Sequence, residues 1–295
     1  MLADLDLLLI AVFCAADDLL PKASRNAKRI LTDAEVVTLC VAQAIMGVPS
    51  DHRFARIAAK QLRHLFPALT SRSGFYKRRE RLSDTIEALI DQFAQMSPGY
   101  HDPVLLVDST PVECARSRET VKRGGSHSLP DALTDAADYG YCASHSRFFY
   151  GFRLHALFAP DGTPRALELT SPKTDEREVA LRMLARCGRH GEIVIADKGY
   201  TSRAFEANVA DLGAQILRPR RKDEPGPGPH LAPIRQRIES IFWTAKDILT
   251  LERHGARTLH ALRTRIAYRF LAMAAAIALN HQLARPSRAL ADLTA

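Results

Sequence analysis

Two short apolar runs in this 295-residue chain each lead into an aspartate. Val104, Leu105, Leu106 and Val107 precede Asp108, and Ile193, Val194, Ile195 and Ala196 precede Asp197. Each pattern predicts a strand buried on both faces that ends at its acid, with Ser109, Thr110 and Pro111 stopping the first. A carboxylate there is costly unless it is paired or bound. Asp108 by itself has two readings, an acid capped by local backbone N–H groups or a ligand and catalytic group. If the two strands are parallel neighbours, both acids emerge at one edge of the sheet, where open α/β sheets place their ligands. Aspartates so placed repel, and a divalent cation relieves the repulsion. Oxygen donors without Cys or clustered His favour Mg²⁺ or Mn²⁺ over zinc.

A third acid lies in IRQRIESIFWTAKDIL, which starts at Ile234. On a helix advancing about 100° per residue, Arg235, Glu239 and Lys246 fall at about 0°, 40° and 20°, one narrow stripe. Ile234, Ile238, Ile241, Ala245 and Ile248 cluster about 100° away, an apolar face suited to packing on a sheet. An Arg four residues before a Glu is also a common exposed ion pair. Periodicity alone favours the exposed ion pair for Glu239.

Several elements must position these groups. Residues 1–97 read as an all-helical domain, and residues 98–295 as a sheet-containing domain closed by two long helices. Thr32 and Glu35 stand in capping-box spacing before the apolar run 36–46. Ser50 or Asp51 caps a second helix, which Pro67 ends. A third begins near Ser71 or Ser73 and runs to about Met96. Its start, SRSGFYKRRERL, sets Arg72, Lys77, Arg78, Arg79 and Arg81 around Phe75 and Tyr76, a pattern suited to a phosphate backbone or to a solvated basic face.

After the linker at Ser97, Pro98, Gly99, Asp102 and Pro103 comes the Asp108 strand, then a polar loop over residues 116–128. Residues 148–159 and 164–171 form a hairpin turned at Pro160, Asp161 and Gly162. In its first strand His155 alternates with apolar neighbours, which suits a satisfied core histidine as well as one facing the site. Thr174 or Asp175 caps a helix that Gly188 ends. A helix over 202–212, a strand over 215–221 and a Pro/Gly-rich connection over 223–233 follow. Trp243 is read as a packing residue.

The five cysteines are scattered and odd in number, so neither a disulfide framework nor a thiolate metal site is expected, and a reducing cytoplasm fits best. The first twenty residues lack the basic flank of a signal peptide, and neither they nor residues 271–279 are apolar for long enough to span a bilayer. No membrane partner is expected. Net charge is +8, and residues 218–269 hold 12 Lys and Arg against 5 Asp and Glu. This suggests a polyanion, nucleic acid first, or a solvated charged face on a basic protein.

The order of these motifs resembles the DDE transposases of bacterial insertion sequences. VDSTPV around Asp108 and ADKGY around Asp197 look like that family's two aspartate motifs, and YGFRLH at 150–155 like the strand between them. Arg235, Glu239 and Lys246 keep the family's spacing of Arg, three residues, Glu, six residues, Lys. Ala232 stands where the family carries a Tyr, which removes one DNA-positioning group. The resemblance covers about residues 30–285.

It implies a ribonuclease-H-like mixed sheet flanked by helices, and a helical amino-terminal domain that binds transposon ends. It implies that Asp108, Asp197 and Glu239 hold two Mg²⁺ or Mn²⁺ ions for DNA nicking and strand transfer. Arg235, Lys246, Lys198, Lys77, Arg78 and Arg79 are then expected on DNA, transposon ends and target alike, with two copies of the chain acting as a homodimer. The same acids would also serve a ribonuclease-H-like nuclease without strand transfer; a domesticated, non-catalytic DNA-binding protein is the other alternative.

Overall fold

Two of the three acids leave a mixed sheet whose two longest strands, of 12 residues each, pair with one another. The computed structural model describes residues 3–21, 31–69, 72–115, 132–142, 146–220, 224, 228–229 and 231–294. Contacts divide it into two units, residues 1–97 with 244–295, and residues 98–243.

The first unit is helical: α1 (Ala3–Leu19), α2 (Asp33–Ile45), α3 (Asp51–Gln61), α4 (Arg72–Arg81) and α5 (Ser83–Gln95). The capping box forms, with Thr32 Oγ1 accepting from Glu35 N–H and Glu35 returning a carboxylate oxygen to Thr32 N–H. Ser50 caps α3 by accepting from Arg53 N–H. The helix expected to run unbroken to Met96 is two, because the backbone leaves helical geometry at Leu82.

The long closing helix, Leu259–Gln282, is buried along most of its length. It groups with these helices rather than with the sheet, where the sequence reading put it. Its alanines at 272, 274, 275, 276 and 278 let neighbours approach closely, which explains an apolar run too short for a membrane. Among the described residues no helix is long and apolar enough to cross a membrane.

The second unit begins with β1 (Val104–Ala115) and continues through α6 (Leu133–Ala136), β2 (Asp138–Cys142), β3 (Arg147–Phe158) and β4 (Pro164–Thr170). It then adds α7 (Glu176–Cys187), β5 (Ile193–Ile195), α8 (Arg203–Asp211) and β6 (Gln215–Leu217). Helix α9 (Ala232–Asp247) follows, the unit boundary falling within it, and Leu259–Gln282 is α10.

The strand order is β2-β3-β1-β5-β6, with β4 also on β3. The β1–β3, β2–β3 and β3–β4 pairs are antiparallel, and β1–β5 and β5–β6 are parallel. The fold is therefore mixed α/β. One face carries a core of Leu105, Val107, Leu157 and Val194 against Val179, Met183 and Leu184 of α7 and Phe205 and Val209 of α8.

Strand β1 does not stop at Asp108. It continues to Ala115, because nine β1 residues from Leu106 to Ala115 pair with β3 and outweigh the local turn chemistry of Ser109-Thr110-Pro111. β6 stops at Leu217, short of the expected 221. β2 was not foreseen. Residues 116–128, expected as a loop, and residues 223, 225–227 and 230 of the expected connection lie outside the described residues.

Candidate active site

The parallel pairing of β1 and β5 runs Val104 with Ile193, Leu105 with Val194 and Leu106 with Ile195. Asp108 and Asp197 each lie two residues further on. Residues level in a parallel pair point to the same face, so the two acids leave together where the ladder ends. Asp108 stays in extended strand because β3 pairs it with Ala156. Asp197 instead caps a short 3-10 turn, Lys198–Tyr200, accepting from Gly199 N–H on Oδ1 at 2.7 Å. Ser109 N–H donates to Asp108 Oδ1, also at 2.7 Å. One oxygen of each acid is thereby oriented by the backbone.

Helix α9 brings the third acid. Ile238, Ile241 and Ala245 are buried, as the apolar stripe predicts, and Phe242 stands edge-on to Phe158 of β3 at 5.6 Å between ring centres. With that face inward, Arg235 and Glu239 reach a small cavity lined also by Asp108, Asp197, Leu106 and Ile238. Its volume is about 20 Å³, roughly the room one water or ion needs.

The electrostatics suit a cation. Burial pushes Asp108 up to about 7 against the downward pull of the Ser109 N–H; Asp197 raises it further, Arg235 lowers it and Glu239 raises it. Asp108 is half-buried by surface area, yet protein atoms crowd its carboxylate and leave it poorly hydrated. Three acids against one guanidinium leave negative charge undercompensated, and carboxylate oxygens are the donors hard divalent cations take. Chemically the set fits. Among the described residues, however, no three His, Cys, Asp or Glu side chains stand close enough together to hold a metal. The acids share a cavity without closing into a ligand cluster.

The other expected site residues divide. Lys198 is exposed beside Asp197, and Lys77 is exposed on α4. Lys246 falls past the unit boundary and pairs with Glu252 at 3.4 Å. Arg79 is corrected: it is 1% exposed, joins Asp51 in an ion pair, and lies over the rings of Phe75, Tyr76 and Tyr268. It is a core group. Arg78 is held by Asp33 and the Leu31 carbonyl. Arg265 and Arg269, counted in the basic stretch, are buried too, and Arg218 is paired with Glu206 and Glu224.

His155 is also corrected. Asp108 pairs with Ala156, so His155 points to the opposite face, is fully buried and bonds Thr170 Oγ1 at 3.0 Å. Burial, then Arg153, brings it down to about 4. Trp243 is 59% exposed rather than packed, because Ile241 and Phe242 take the inward positions. Two features escaped sequence reasoning. Tyr200, inside ADKGY, is buried near both aspartates, which after burial itself raise its hydroxyl's pKa. An Arg153–Glu176 ion pair with Ser109 braces β1 from the far face; strict alternation along β1 and β3 was the signal for it.

A family model described as transposase DDE domain matches residues 99–275, more than half of the chain. No curated protein and no solved structure matches. The matched segment crosses the unit boundary, taking in α9 and much of α10.

Proposed function

The chain belongs to the transposase DDE domain family, and from that premise we propose that it nicks transposon-end DNA and joins the freed end to target DNA. The observation that carries this reading is the shared cavity of Asp108, Asp197 and Glu239, reached from two parallel strands and one helix. A mixed sheet in which an antiparallel set continues into a parallel pair supports a ribonuclease-H-like core.

Asp108, Asp197 and Glu239 would hold two Mg²⁺ or Mn²⁺ ions. Bound there, such ions activate the attacking oxygen and stabilise the leaving one. The protein's part is placement. Ser109 N–H and Gly199 N–H each fix one aspartate oxygen, and both aspartates line the cavity. Glu239 is exposed on its helix, and its rotatable side chain can close on a ligand. Arg235, beside Asp108, suits a bidentate phosphate contact; Lys198, Lys77 and Lys246 are point charges along the DNA. Water adds to the phosphorus at the transposon end and a 3′-hydroxyl leaves. That hydroxyl then attacks a target phosphodiester, and a new 3′-hydroxyl departs. Two ends must meet, so two copies of the chain act on DNA, with the amino-terminal helices binding the ends.

The test is a strand-transfer assay with pre-nicked transposon-end DNA and Mg²⁺. Joined products are expected. Hydrolysis without joining would leave a nuclease, and no metal-dependent chemistry would leave a DNA-binding protein.

A further inference from the structure

The β2–β3 hairpin turns four aromatic rings to one side. Tyr139 pairs with Tyr150 and Tyr141 with Phe148 across the ladder. Ring centres stand 4.8 and 5.0 Å apart. Phe148 is 76% exposed, and Tyr139 and Tyr141 are 47% exposed each. The other side of the hairpin is packed: Phe149 is buried, and a side chain at Gly140 would collide with its ring. Exposure is therefore confined to one face, in a protein whose other large aromatics, Trp243 apart, are mostly inside.

That face is also the face of Asp108. Asp108 pairs with Ala156, and residues 148, 150, 152, 154 and 156 alternate onto one side of β3. Tyr150 lies six residues from Ala156, about 20 Å along the strand. Phe152 and Leu154 between them are buried, so the acids and the exposed rings lie at two ends of one sheet face whose middle is covered. Same-side residues of a strand stand about 6.6 Å apart, close to twice the roughly 3.4 Å step between stacked bases. Arg147, held by Glu113, and Asp138, which holds Lys173, lie on the other face of the ladder, so the ring face itself is aromatic and uncharged. The chain as a whole carries +8.

We propose that this aromatic face binds unpaired DNA bases by stacking, holding a single strand that leads to the acid cavity. The proposal rests on the transposase reading and adds a binding surface to it. Every base has a π-face, so the contact tolerates any sequence.

The test uses the full chain and fluorescein-labelled oligothymidylate, followed by fluorescence anisotropy. Phe148→Ala and Tyr141→Ala are each expected to weaken binding about tenfold while blunt duplex binding is unchanged. Phe148→Trp, which keeps a ring, should bind as wild type does. Unchanged single-strand binding in the alanine variants, or equal loss on blunt duplex, would overturn the platform. So would a shift in sedimentation with single-strand binding intact, which would make the face a protein contact. A chain that binds through Phe148 yet neither nicks nor joins keeps the platform and loses the transposase reading. A chain that nicks and joins while Phe148→Ala binds normally loses the platform alone.

Discussion

Asp108 and Asp197 are level with one another, each two residues past the last paired residues of β1 and β5, Leu106 and Ile195. The levelness follows from parallel pairing, which keeps register constant along both strands. Asp197→Asn and Glu239→Gln should each reduce metal-dependent nicking by more than about a hundredfold. Glu239 is exposed, so Glu239→Gln should melt like the wild type; nicking at a normal rate would remove it from the site.

The position of Asp108 predicts a pH effect on stability. Its folded pKa, about 7, exceeds the ordinary 3.8. The folded state thus keeps a proton that the unfolded chain has released. This stabilisation is complete below about pH 4 and is lost as pH rises through 7. In chelator, the melting temperature should fall between pH 5 and 8, by an amount on the order of 2 kcal/mol. Mg²⁺ at pH 8 should restore it. Asp108→Asn should flatten the pH profile and abolish the Mg²⁺ gain; an unaltered Mg²⁺ gain in that variant would place the cation elsewhere.

Asp51 behaves oppositely. Burial raises its pKa, but Arg79 and Arg265 overcome this and bring it down to about 2. Its contribution is present above pH 4 and is lost as pH falls through 2. Asp51→Asn leaves two buried guanidinium groups without their carboxylate and should cost about 3–5 kcal/mol in chemical denaturation. A loss below about 1 kcal/mol would mean water already satisfies them.

Lys77 and Arg79 sit two residues apart on α4 with different fates. Lys77→Ala should leave stability unchanged and lower the salt slope of DNA binding by about one ion. Arg79→Ala should unfold the helical unit at a lower denaturant concentration, with any loss of DNA binding following from that. Equal stability of the two variants would contradict the burial of Arg79.

Much of the site was readable because its signals are local. An apolar run ending in an acid marks β5 and the start of β1, and the isoleucine stripe fixed which side of α9 faces inward. The rest depended on partners distant in sequence. Ser109, Thr110 and Pro111 look like a stop only until β3 is known to pair across them. The arginines of α4 look like a phosphate-binding cluster until Asp33 and Asp51 appear beside two of them. β2 is short and exposes alternate residues, so it carries too little apolar signal to stand out. The site-facing role of His155 came from the resemblance alone, while its alternation with apolar neighbours already allowed the buried histidine found here.

β1 outruns its parallel neighbour. Past Leu106 its β5 side has no partner strand among the described residues, and such a border invites a strand from another molecule. Pro111 lies in that stretch with no N–H to give, and within sheets proline is tolerated where the absent donor would face outward. The border is thus kept from growing into an intermolecular sheet. β1 can run on past Asp108 without offering a continuous edge to another chain.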